Sequence, residues 1–431
     1  MDVRQERESL GSALYSFLGM EGHRSRLPLA LLAAVVAAGA ATWLLRPRSG
    51  LIDPAPVEAT AYFSKAQLER AHDFRDTQRL LGLGGLALTG GTLTLLALRP
   101  PRRLLSPLER RPLLGGAAAG ASISLVLVAV GLPIAAVAHE RSVDVGLSTQ
   151  SWGEWLGDAG KAAGIEAVFA AGGAALGLGL VRRFRRNWWA PTAVCAVALG
   201  AAALWLFPVV IDPIFNKFEP LPKGKLRSEV LELAKKAGVD VGQVYRVDAS
   251  RRTTGANAYV NGLGHTKRVV LYDTLIDRFP EDQVRSVVAH ELGHQKHDDI
   301  YRGLAWLALV APAGTFLAQA LAERIGRREG LGDRSRKPGP GALPAIALSL
   351  ALVSFGLGIA SNVLSRRIEA RADAFSLRLT HDPEAHIALE RRLALNNVAD
   401  PDPPALLHDL FGTHPTTLQR IGIGKAWEAS R

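Results

Sequence analysis

The stretch WAPTAVCAVALGAAALWLFPVVI, residues 189–211, passes without a break into DPIFNKFEPLPKGK, residues 212–225. The first part carries no charge and is long enough to cross a hydrocarbon core, which takes about 20 helical residues. The second, with its prolines, glycine and charges, cannot continue that helix through lipid. A membrane span ends here and a water-exposed segment begins.

Comparable apolar runs lie at about 27–45, 80–98, 113–138 and 162–181, and again at about 303–322 and 342–364. With 189–211 they give about seven spans. Buried core helices of the same length resemble the last two. The chain has 431 residues, 48% of them hydrophobic but only 6% aromatic, a balance that suits Ala/Leu/Val/Gly helices in lipid. The net charge of +11 gathers beside the apolar runs rather than in a basic stripe interleaved with aromatics, so nucleic acid is excluded as a partner. Cys195, the only cysteine, reads as a small apolar residue and leaves neither a disulfide nor a Cys-based metal site. The pairs Gly84-Gly85, Gly90-Gly91 and Gly172-Gly173 either let helix backbones approach closely or reflect a Gly-rich composition. The N-terminus lacks a signal-peptide pattern, so the first run is expected to be a retained helix.

Residues 212–300 predict a small α+β unit. Lys225 to Ala237 places Leu226, Val230 and Leu233 on one helical face, with Gly238 as its stop. Gln243 to Asp248 and Arg268 to Asp273 read as strands, with a turn near Gly262 and Gly264. Pro280 opens a helix with Glu281 and Asp282 in its first turn. That helix carries His290-Glu291-Leu292-Gly293-His294. Gly326 to Gly341 is a polar loop, and Ser365 to Leu379 continues the seventh run as a charged helix. The domain organisation is therefore 1–211, a five-span membrane region; 212–300, a catalytic domain; 301–364, the sixth and seventh spans; and 365–431, a soluble, mostly helical C-terminal region. The fold class is mainly α, a polytopic helical membrane protein with a small zincin-like domain.

Residues four apart on a helix share a face, so His290 and His294 aim two imidazoles at one metal. Glu291 sits one position round, placed to take a proton from the water the metal would activate. That combination is what peptide hydrolysis needs. A third protein ligand is required. A closely following third His is excluded, because the metzincin positions hold His297 and Ile300, and the apolar stretch 312–322 excludes a thermolysin-like Glu. Glu369 and Asp373 share a face four residues apart, so Glu369 is the best candidate ligand, with Asp373 orienting an imidazole. From charge pattern alone that segment reads equally as an ion-paired surface helix with Arg366, Arg367 and Arg371.

Taken in order, these segments resemble the membrane zinc peptidases that include the type I CAAX prenyl proteases. Pro213 to Leu221 resembles the segment leaving the fifth span, and Asp248 to Tyr259 the substrate-side strand. Arg268 to Leu275, HELGH, Glu369 to Asp373 and Thr413-His414-Pro415 complete the series. Over 1–210 the likeness rests on the span count, the polar loop 139–161 and Trp155, Asp158 and Lys161. The resemblance implies one zinc ion held by His290, His294 and Glu369, Glu291 as general base and Asp373 as the carboxylate behind a ligand. It further implies His414 and Arg420 at the oxyanion, and Asn257, Ala258 and Tyr259 along the substrate backbone. His139, His265, His381, His386 and His408 receive no role.

The expected activity is zinc-dependent endopeptidase action on peptides or membrane-associated proteins at the bilayer. An excess of Arg over Lys with abundant Ala and Gly points to a GC-rich bacterial genome, which favours quality control of membrane proteins over prenylated substrates. A transporter with a soluble metal site is the rival from another class, although only Glu166 lies inside a run as an intramembrane charge. The resemblance places the catalytic domain in the cytosol. Arg102, Arg103, Arg110, Arg111, Arg182, Arg183, Arg185 and Arg186 favour the opposite orientation; the former is adopted.

Overall fold

The computed structural model describes residues 23–262, 267–333 and 335–431. The turn residue Gly264 and His265 lie outside them. The membrane region comprises α1 (His23–Leu45), α2 (Lys65–Leu98), α3 (Pro112–Asp144), α4 (Trp152–Arg183) and α5 (Trp189–Leu206). The catalytic part follows as β1 (Phe218–Pro220), α6 (Lys225–Ala237), β2 (Gln243–Val247), β3 (Ala258–Asn261), β4 (Arg268–Tyr272), α7 (Asp273–Arg278) and α8 (Glu281–Lys296). The chain then runs through α9 (Asp299–Ile325), α10 (Leu343–Thr380), α11 (Pro383–Asn396), α12 (Ala405–Phe411) and α13 (Thr417–Ala429).

Among the described residues seven helices are long and apolar enough to cross a membrane, and they contain the seven runs. Several exceed the bilayer. The 34 residues of α2 reach about 51 Å at 1.5 Å per residue, against a hydrocarbon core of about 30 Å. Its N-terminal turns therefore stand clear of lipid, started by a capping box between Ser64 and Gln67. A second capping box, Ser151 with Glu154, starts α4.

The glycine pairs do not make the close helix contacts. A Cβ added at Gly90, Gly91, Gly172 or Gly173 would meet nothing within 4 Å. The close approach is at Gly120 of α3, where a Cβ would lie 2.4 Å from the Ala174 Cβ and 2.5 Å from the Ala170 carbonyl of α4. Gly84 and Gly85 face Ile134 of α3 only at ordinary contact distance, 3.9 Å.

The strands form one sheet in the order β1-β2-β4-β3. β2 and β4 are parallel, with Val244 opposite Val269, while β1 and β3 are antiparallel edges. Val244, Val269 and Leu271 turn their side chains onto α6 and α8, where Val230, Leu233, Val288 and Leu292 complete one core. Gly238 adopts φ 68°, the left-handed turn that stops α6. The sheet is tied to the fifth span by Arg268, whose Nη2 donates to the Pro208 carbonyl at 2.8 Å. Asp158 of α4 accepts from Arg252 Nε (2.8 Å) and Lys161 Nζ (3.0 Å), joining the membrane region to the segment before β3.

Candidate active site

The zinc-type motif is held by its own helix core. On α8, Val284, Val288 and Leu292 are buried against the sheet, and this stripe turns His290 and His294 toward α10. The 38-residue α10 continues unbroken from the seventh apolar run and delivers Glu369, Arg371 and Asp373 to the same place.

Three donor atoms converge there. His290 Nε2 lies 3.1 Å from His294 Nε2 and 3.1 Å from Glu369 Oε2, and His294 Nε2 lies 3.5 Å from the same oxygen. Each imidazole is backed by a different carboxylate: His290 Nδ1 is 2.8 Å from Asp373 Oδ1, and His294 Nδ1 is 3.2 Å from Asp299 Oδ2. An ionised carboxylate only accepts, so both Nδ1 atoms donate and both Nε2 atoms are left facing the Glu369 carboxylate. Donor atoms at these distances call for a cation among them, a metal ion on the Nε2 lone pairs or a proton on Nε2. Burial pushes the imidazoles down. Hydrogen bonds to Asp373 and Glu369 nevertheless hold His290 up at about 9, and those to Asp299 and Glu369 hold His294 up at about 10. The surrounding carboxylates thus favour positive charge at the point where the Nε2 atoms meet. His290, His294 and Glu369 fit a metal ion on these grounds.

A second cluster, Asp373, His386 and Glu390, has its cation already. Arg420 donates through Nε and Nη2 to Asp373 (2.9 and 2.5 Å), and its Nη1 forms an ion pair with Glu390 at 3.0 Å. His386, held near 4 by burial, is neutral and lies 3.2 Å through Nε2 from the Arg420 carbonyl. The Arg420 guanidinium lies against His290 Nδ1, at 3.4 Å, rather than beside the converging Nε2 atoms. Two buried carboxylates, Asp373 and Glu390, hold it there.

His414 sits on the open side, its Nε2 3.4 Å from Glu369 Oε2 and its side chain 57% exposed. Arg366 Nη1 donates to the Gly412 carbonyl at 2.6 Å and Asn362 Nδ2 to that of Leu410 at 2.8 Å, so α10 also fixes the segment carrying His414. A cavity of about 760 Å³ adjoins His414 between α2 and α12, walled by Leu83, Leu86, Leu407 and Phe411. Glu291 is half-buried beside the Val260 backbone, and its partial loss of solvent raises its carboxyl above the usual range.

Among the described residues β3 pairs only with β4, through Tyr259 opposite Val270. At its other edge Val260 O accepts from Gln295 Nε2 of α8 (3.1 Å), and Ala258 N–H is held by Asn257 Oδ1 (2.9 Å).

The family model "Peptidase family M48" matches residues 220–427, and "CAAX prenyl protease N-terminal, five membrane helices" matches 119–217. An uncharacterized metalloprotease of Bacillus subtilis, YhfN, is 32% identical over 69% of this chain and 70% of its own length. The chain belongs to peptidase family M48. It is a multi-pass membrane metalloprotease, which sets the transporter reading aside. Other M48 relatives include the CAAX prenyl protease 1 homologue of Arabidopsis thaliana, 34% identical over 52% of each chain, so the match spans about half of that protein. The crystal structure of S. mikatae Ste24p superposes with a TM-score of 0.74 over 93% of this chain and 99% of that one, at 18% identity. At that identity the likeness is one of fold.

Asp299, Glu390 and His386 escaped the sequence reading. Asp299 had one available signal, an acidic residue at the start of the helix after HELGH. Glu390 and His386 had none beyond a shared helix face four residues apart.

Proposed function

We propose that the protein is a zinc endopeptidase in which His290, His294 and Glu369 hold one zinc ion. The observation that carries this reading is the convergence of two Nε2 lone pairs and a carboxylate oxygen, each imidazole fixed from behind by an acid. Zinc bound there supplies a Lewis acid that polarises a peptide carbonyl and acidifies water. Glu291 accepts the proton of the attacking water and passes it to the departing amine. His414 donates to the oxygen on which negative charge develops. Asp373 keeps the His290 tautomer, and Arg420, with Glu390 behind it, keeps Asp373 ionised and in place.

The substrate lies as an added strand along Asn257, Ala258 and Tyr259. To pair with the Ala258 N–H its carbonyl must displace the Asn257 side chain, which makes Asn257 a gate for backbone recognition.

Substrates are peptides or membrane proteins that reach the site from the bilayer, in a bacterial cell membrane with the catalytic part in the cytoplasm. Quality control of membrane proteins is the favoured role, because the Arg-, Ala- and Gly-rich composition suits a bacterial genome. Purified Glu291→Gln is expected to keep its zinc and lose peptidase activity; full activity in that variant would overturn the reading. Reporter fusions after residue 111 and at the C-terminus test the orientation, an external C-terminus contradicting it.

A further inference from the structure

The chain leaves α8 at Lys296 and must turn sharply to begin α9 at Asp299. Asp298 makes the turn with φ 54°, a left-handed conformation that Asp tolerates better than most residues. The turn carries the Asp299 carboxylate back under His294. Its Oδ2 meets His294 Nδ1 at 3.2 Å, while Oδ1 accepts from Arg371 Nη2 and from Arg302 Nε at 3.3 Å. The Asp299 and Arg371 side chains are only 7% and 8% exposed. Arg302 is anchored in turn by the Leu45 carbonyl at the end of the first span (2.7 Å).

Arg371 and Arg302 both grip Oδ1, which leaves Oδ2 facing His294 Nδ1 and fixes the ring from behind. The arrangement repeats that behind His290, where Asp373 is the acceptor and Arg420 the cation. The cations differ in origin: Arg420 comes from α13, whereas Arg371 comes from α10, between Glu369 and Asp373.

We propose that Asp299 is the positioning residue for His294, held in place by Arg371 and Arg302. The segment Glu369 to Asp373 thereby sets the whole site, contributing a ligand through Glu369, the clamp on Asp299 through Arg371 and the acceptor behind His290 through Asp373. The inference rests on the reading of His290, His294 and Glu369 as zinc ligands. Its competitor is a plain ion pair that joins α9 to α10 and has no bearing on the metal.

The test uses the full chain in detergent and follows zinc release to a chromophoric chelator, with the melting temperature of the metal-free protein as the folding control. Asp299→Ala is expected to release zinc about 10- to 100-fold faster than the unsubstituted protein. Asp299→Asn, whose amide oxygen still accepts from Nδ1, should fall between the two. Wild-type release from Asp299→Ala, with only the melting temperature lowered, overturns the proposal in favour of the plain ion pair. If Asp299→Ala does not fold, Asp299→Asn decides, and unchanged release from it is equally contrary. His294→Ala separates the two levels of inference. Wild-type release from that variant contradicts the zinc-site reading itself, whereas fast release from it beside slow release from Asp299→Ala contradicts only the role of Asp299.

Discussion

The five N-terminal spans and the catalytic part bury their side chains in opposite ways. In the most apolar windows of α1 to α5 no more than 22% of the residues are buried, and leucines and valines such as Leu80, Val168 and Val194 are about 70% exposed. In α9 and α10 the figure is 44%, and α10 buries charges among its apolar positions: Asp373 is fully buried and Arg371 nearly so. The first region presents its apolar surface to lipid and packs helix on helix at close approaches such as Gly120. The second hides its charges, each matched by a partner on another element. One composition therefore serves two purposes, and the last two membrane helices belong to the catalytic centre as much as to the bilayer.

The comparison breaks first at Glu291. If the buried charges of the second region are there for chemistry, Glu291→Gln should lower kcat by about 10²- to 10⁴-fold, with zinc content and melting temperature unchanged. Packing comes next. Leu292→Ala, in the fully buried stripe of α8, should cost about 2–5 kcal/mol, measured by denaturant unfolding in detergent. Val194→Arg on the lipid face of α5 should cost about 2.5–3.5 kcal/mol in a membrane-insertion assay, while Val194→Ala changes little. An innocuous Val194→Arg would mean that this face is covered by protein. Gly120→Val should cost about 1–3 kcal/mol by forcing α3 from α4, whereas Gly172→Val should be neutral, since nothing lies near it. The smallest effect belongs to the α4 cap, where Ser151→Ala should lower stability by about 1 kcal/mol.

The same contrast explains what could be read in advance. Spans were legible because a lipid-facing helix announces itself by length and hydropathy alone, with no knowledge of its neighbours. α6 and α8 were legible because their starts, stops and apolar stripes are local, down to Gly238 and Pro280. HELGH was legible through its spacing of four. Glu369 was a candidate but not a choice, because an ion-paired surface helix shows the same charges; Arg371 indeed forms an ion pair, though with Asp299 of another helix. Arg420 could be placed near the site but not oriented, since its direction is set by Glu390 and Asp373 across three helices. Contacts of that kind are properties of the packed molecule, and no spacing within a segment encodes them.

The central claim is that one metal site is assembled from α8 and from α10, two membrane spans later in the chain. Elemental analysis of purified protein after exhaustive dialysis, with Glu369→Ala beside the unsubstituted chain, tests it most directly. The account predicts about one zinc per unsubstituted chain and loss of the metal from a Glu369→Ala protein that still folds. A full complement of tightly held zinc in Glu369→Ala would contradict it.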